Sequence, residues 1–248
     1  MAIDFGIFAE GHTWIALLTL IFLEIVLGVD NIIFISIVTQ KLPKKEQPKA
    51  RNIGLMLALV FRVLLLMGIT YIIKLTEPLF TIGFLEFSHG FSWRDIILLA
   101  GGLFLIAKST SEIHQKITGV ERVGEKASYK GSIAKIIFQI IILDIVFSFD
   151  SILTAVGLVD ELILMIIAVV IAMMVMLLFT GKISSFIEER PTLQVLALSF
   201  LILIGVMLVA EGFGEHVPKG YIYFSVAFSL VVEALNMRLR GSERPKDE

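Results

Sequence analysis

Residues 24–31 read Glu24-Ile25-Val26-Leu27-Gly28-Val29-Asp30-Asn31, and 120 positions later residues 144–151 read Asp144-Ile145-Val146-Phe147-Ser148-Phe149-Asp150-Ser151. Each copy sets a carboxylate, five mostly apolar residues, a second carboxylate and a small oxygen-bearing side chain in an otherwise hydrocarbon stretch. At the centre of a membrane segment an acid disfavours insertion by roughly 2.5 to 3.5 kcal/mol, so four together cost about 10 kcal/mol or more. Nothing in a helical fold requires that cost, and an ionisable residue at membrane depth is by default a functional-site hypothesis. Glu24, Asp30, Asn31, Asp144, Asp150 and Ser151 together would form an all-oxygen, strongly anionic metal site without sulfur or imidazole. Hard divalent cations such as Mn²⁺, Mg²⁺ or Ca²⁺ suit such a site, whereas Zn²⁺ and Cu⁺ prefer His or thiolate. Four close carboxylates cannot all stay ionised in an empty site, so a bound dication would expel protons. Cation/proton exchange follows directly from that competition.

Helical geometry limits how the acids can cooperate. Residues seven apart face nearly the same way, so Glu24 shares a face with Asn31, and Asp144 with Ser151. Residues six apart are about 120° out of register, so Glu24 and Asp30 cannot both face one site on a straight helix. Either the two acids do different jobs or the helix breaks between them. Gly28 and Ser148 mark where a break is easiest, and the break is the preferred reading because it would free backbone carbonyls as ligands. Arg62 is the one basic residue at membrane depth. It either pairs with a motif acid, the favoured reading, or occupies the site as a tethered cation when metal leaves. As a structural ion pair it could neutralise at most one of the four acids. Glu233 and Asn236 could be accessory ligands but fall near a helix end, where solvation is the simpler expectation. Lys108 and Glu211 are expected to snorkel to the interface. The four histidines form no spaced ligand set, and the nine methionines read as packing.

The elements that position these residues follow from composition. Of the 248 residues 57% are hydrophobic and the mean hydropathy is +0.91, which makes this a polytopic, all-α membrane protein. Apolar stretches predict seven transmembrane helices near 13–38, 52–74, 94–108, 132–157, 161–181, 192–210 and 220–237. The segment from Thr76 to Trp93, rich in Phe and Gly and containing Pro78, reads as an interfacial hairpin against the helix ends. Met1 to Gly11 carries no Lys or Arg, so the first apolar segment reads as a retained span rather than a signal peptide. Seventeen basic residues fall in alternate loops and the tail against three, Lys74, Arg94 and Lys219, in the others. That bias predicts an N-terminus outside and a C-terminus in the cytoplasm.

Three helices precede the polar 109–131 connector and the second motif opens the fourth, so the two motif helices run in opposite directions. The expectation is one transmembrane domain over 1–248 built as an inverted-topology repeat: repeat one over 12–108, repeat two over 132–210, a seventh helix over 220–237 and a short tail over 238–248. Gly102-Leu-Phe-Leu-Ile-Ala107 is echoed by Gly205-Val-Met-Leu-Val-Ala210. The absence of cysteine excludes disulfides and thiolate chemistry. No Walker loop, dinucleotide fingerprint, zincin motif or nucleophile elbow occurs, so neither an enzyme nor an ATP-driven pump is expected. The expected partners are the bilayer, a transported cation and protons, with no nucleic acid and no resident cofactor.

The two motifs, Glu24 to Asn31 followed by Ile32-Ile33 and Asp144 to Ser151 followed by Ile152, resemble the paired signature of the TerC family of integral membrane proteins. The resemblance spans about residues 10 to 240. It implies a seven-helix exporter related to the LysE superfamily, with manganese efflux as the activity and the same six residues as metal-site positions, in the cytoplasmic (inner) membrane. Roles in tellurium resistance and in membrane-protein assembly have also been attached to that family; the alternative readings of this chain are a non-transporting membrane factor that helps other proteins insert or acquire metal, and a tellurium-resistance protein. Some members extend into cytoplasmic regulatory domains; with the sequence stopping at Glu248, such regulation is expected to be absent or supplied by a partner.

Overall fold

Among the described residues seven helices are long and apolar enough to cross a membrane, one for each of the seven expected from the sequence. The computed structural model describes residues 9–84, 87–118, 129–159 and 161–242; the side chains at 29, 30, 82, 84, 87, 88, 129–132, 150, 219 and 240–242 lie outside that description. In chain order the elements are α1 (Gly11–Thr39), α2 (Gln47–Met67), α3 (Ile69–Lys74), β1 (Pro78–Phe84), β2 (Phe87–Ser92), α4 (Trp93–Thr118), α5 (Tyr129–Leu158), α6 (Leu162–Glu188), α7 (Pro191–Gly212) and α8 (Lys219–Ser242).

Two spans differ from expectation for a local reason, and the expected hairpin lies between them. The second span divides into α2 and α3 at Gly68, whose φ of -87° and ψ of 15° are not helical, although its N–H still reaches the Leu64 carbonyl at 3.0 Å. The hairpin is present as antiparallel β1 and β2. Ser92 then starts α4 with a reciprocal cap: its N–H and hydroxyl donate to Asp95 Oδ2 at 2.9 and 2.7 Å, while the Asp95 N–H donates back to Ser92 Oγ at 3.3 Å. The third span does not close at Lys108 but continues to Thr118, so the described part of the expected connector is helix. Its polar residues find partners instead of water. Lys108 pairs with Glu112 one turn on at 2.8 Å, Lys41 from the turn after α1 reaches the same carboxylate, and Lys116 bonds Gln194 on α7. Burial pushes the Lys41 ammonium below its usual value, against the opposing pull of Glu112. Residues 119–128 lie outside the described residues.

The helices pair as α1 on α6, α5 on α2 and α4 on α7, with α1 also touching α5 and α2 touching α6. This scheme maps onto itself when α1, α2 and α4 are exchanged for α5, α6 and α7. The core is aliphatic, with Leu20, Leu98, Phe149, Ile152, Met173 and Leu198 fully enclosed. Large apolar side chains such as Ile15, Phe22, Leu178 and Phe224 point outward, as the surface of a bilayer protein must. α8 packs chiefly on α7, burying Ile222 and Val226 and leaving most of its length exposed.

The α4–α7 crossing is the closest backbone approach in the bundle for which a pair of glycines is responsible. A Cβ on Gly102 would stand 2.6 Å from the Gly205 carbonyl oxygen, and one on Gly205 would stand 2.8 Å from the Gly102 carbonyl oxygen. Backbone cannot give way as a side chain can, so small residues there let two helices meet where lipid offers no hydrophobic drive for association. Gly205→Ala is expected to lower stability by about 1–3 kcal/mol through overpacking. Gly157→Ala, whose Cβ would meet nothing within 4 Å, is the matched control and is expected to hold or raise it. Thermal unfolding of the two purified variants in detergent checks this, and equal midpoints would contradict the crossing.

Candidate functional site

The motif acids reach the protein interior because helix phase puts them there. On α2 the buried stripe runs Leu55, Ala58, Arg62 and Leu66, so Arg62 occupies a core position in an otherwise apolar line. On α1 Glu24 and Asn31 share the inward face, and on α5 Asp144, Ser148 and Ser151 do. The three helices meet at the Arg62 guanidinium. Glu24 and Arg62 are each 2% exposed, Asp144 5% and Ser148 0%, so this is a charge cluster sealed from solvent.

Its geometry is fully bonded. Arg62 Nη1 donates to Glu24 Oε2 at 2.6 Å, Nη2 to Asp144 Oδ1 at 2.8 Å and Nε to Ser148 Oγ at 2.8 Å. Asn31 Nδ2 donates to the same Asp144 Oδ1 at 3.1 Å, and the Ser148 hydroxyl donates to Asp144 Oδ2 at 3.2 Å. A single guanidinium thus bridges two carboxylates, one from each motif, while its one charge can still offset only one of them, as expected from the sequence. The forked donor geometry of arginine makes the bridge possible, since its nitrogens point to separate acceptors.

The helix break expected at Gly28 and Ser148 is absent: α1 and α5 run as continuous helices through both positions. An uninterrupted backbone ladder leaves no group unpaired in hydrocarbon. The two residues serve other ends. Met176 on α6 lies directly over Gly28, where any Cβ would collide with its sulfur. Ser148, at the matching motif position, carries the hydroxyl that bonds Arg62. So α6 meets α1 through a thioether on glycine where α2 meets α5 through a guanidinium on serine.

The remaining candidates divide. Asn31 joins the cluster directly. Ser151 is buried but its hydroxyl donates to its own helix, at the Ser148 carbonyl, 3.2 Å away. The side chains of Asp30 and Asp150 lie outside the described residues, and among the described residues no three carboxylate or imidazole side chains converge as a metal site. Glu233 on α8 is half-buried and Asn236 is exposed, both away from the cluster. Glu211 is 4% exposed rather than snorkelling, and its Oε2 lacks a hydrogen-bond partner among the described residues. Sequence reasoning missed the Lys41–Glu112–Lys108 cluster, although the Lys108 and Glu112 spacing of four is itself a helical pairing signal.

A model of the family described as Integral membrane protein TerC family matches residues 9–248. The UPF0053 protein of Haemophilus influenzae is 49% identical over 232 residues, which cover 94% of this chain and 96% of that one. The UPF0053 inner membrane protein YgdQ of Escherichia coli K12 is 50% identical over 241 residues, 97% of this chain and 99% of that one. UPF0053 inner membrane protein YoaE of the same strain is 48% identical over 92% of this chain, but the match covers only 43% of YoaE. No solved structure matches. With seven membrane-crossing helices, a match over nearly its whole length and inner membrane proteins among its relatives, this chain belongs to the TerC family of integral membrane proteins.

Proposed function

We propose that this protein exports divalent metal cations across the inner membrane by alternating access, Mn²⁺ foremost, in exchange for protons. One observation carries the reading: Glu24 of the first motif and Asp144 of the second meet on a single buried cation, with Asn31 beside them. Acids from both halves of the chain share one positively charged group in a sealed interior, which is the arrangement a transported cation would need. Asp30 and Asp150 follow six residues after each, so the two motifs together carry four carboxylates. Oxygen donors alone favour hard dications over Zn²⁺ or Cu⁺. The order among hard dications, Mn²⁺ before Ca²⁺ or Mg²⁺, follows what the family resemblance implies. Alternating access would proceed by the two three-helix repeats rocking about the acids, with the helix pairing described above as the frame. The basic loops favour a C-terminus in the cytoplasm, and the outward direction follows what the family resemblance implies.

Three tests bear on this. In a strain lacking its own manganese exporters, the wild-type chain is expected to lower cellular manganese under manganese challenge, and Asp150→Asn at equal membrane level is not; unchanged manganese, calcium and magnesium in the wild type would reject export. In liposomes, a proton gradient directed against the cation flux is expected to accelerate it several-fold, because protons must replace the departing charge, and flux indifferent to the gradient would reject proton exchange. A reporter active only in the cytoplasm, fused after Ser242, is expected to be active; activity only of a periplasmic reporter there would reverse the orientation.

A further inference from the structure

Arg62 stands where the cargo would stand. Its guanidinium takes one oxygen of Glu24 and one of Asp144, at 2.6 and 2.8 Å, and these acids are the pair contributed by opposite motifs. A dication bound by both carboxylates would compete for those oxygens with a fixed positive charge a few ångströms away in a medium of low dielectric, where repulsion is strong. The two cannot share the pair.

Resting on the exporter reading above, we propose that Arg62 is an intramolecular competitor for the transported cation: it fills the cation-free site, withdraws when the dication binds, and expels it by returning. Several features fit this role better than a static ion pair. The guanidinium holds Glu24 and Asp144 from two helices and closes an empty site that would otherwise leave both carboxylates buried without a countercharge. Its third bond, from Nε to Ser148 Oγ at 2.8 Å, is to a neutral hydroxyl that a dication need not take, so it can be kept as the head group leaves the acids. The cluster sets two acids from opposite motifs against one basic group, which leaves room for a cation of higher charge. The matching position in the other half is empty of charge: Met176 lies on Gly28 as Arg62 lies on Ser148, and α6 carries no charged residue from Leu162 to Gly181. A purely structural tie between the halves would have no need of so lopsided an arrangement. A single competing cation does.

Competition lowers apparent affinity by the fraction of time the site is free. Removing the competitor must therefore tighten binding, whereas removing a structural strut must loosen it. The experiment uses the full chain, purified and reconstituted in liposomes, with Mn²⁺ as the probe: equilibrium binding, and initial flux against Mn²⁺ concentration. Arg62→Gln is expected to bind Mn²⁺ about tenfold more tightly or better, and to transport with lower KM and lower kcat, because nothing expels the ion. Arg62→Lys, whose compact ammonium reaches one carboxylate rather than two, is expected to shift in the same direction by less. It carries the test where Arg62→Gln does not reach the membrane. If wild type binds and moves Mn²⁺ while both variants bind it no more tightly, or with raised KM, the competitor role is overturned and export stands. If wild type neither binds nor moves Mn²⁺, Ca²⁺ or Mg²⁺, the exporter reading fails first and the competitor role goes with it.

Discussion

Everything near the centre of this protein is arranged around one guanidinium that water does not reach. Arg62 ties α1, α2 and α5 through Glu24, Asp144 and Ser148, and the entire cluster is enclosed by helix walls. Burying any one of these charges alone would cost several kcal/mol, and only their mutual contacts offset it. The constraint is severe. Each member can sit at depth because the others do, so the residues of three helices must arrive in register before any of them is comfortable.

That register comes from ordinary helix packing. α4 and α7 meet backbone to backbone at Gly102 and Gly205, and Met176 closes over Gly28, so small residues fix how near the helices stand. The polar groups at the helix ends are satisfied locally. Ser92 and Asp95 cap α4, and Lys41 and Lys108 hold Glu112. Deep in the bundle the acids of α1 and α5 are then bridged by the guanidinium of α2.

The sequence shows much of this because a bilayer constrains sequence strongly. Spans of about 20 apolar residues mark the helices, and the hairpin between α3 and α4 is announced by Pro78 and a run of Phe and Gly. The acids stand out because hydrocarbon makes them costly. What is hidden is what depends on who meets whom. Gly28 and Ser148 look like weak points in a helix, since both residue types are poor helix formers, but their reason lies in Met176 and Arg62 on other helices. The extension of α4 to Thr118 is hidden for a related cause: hydropathy ends at Lys108, while the helix is continued by ion pairs to distant residues. Burial of Glu211 is equally invisible to a one-dimensional reading, because a carboxylate at a span end normally reaches water.

α8 leans on α7, burying Ile222 and Val226 and leaving most of its length exposed. During synthesis it emerges after the six other membrane-crossing helices. Those six can therefore begin to close around their buried charges while α8 is still being made, and α8 docks onto a surface already formed. A reporter fused after Ser242 therefore loads a helix that is held by few buried side chains and is largely exposed along its length.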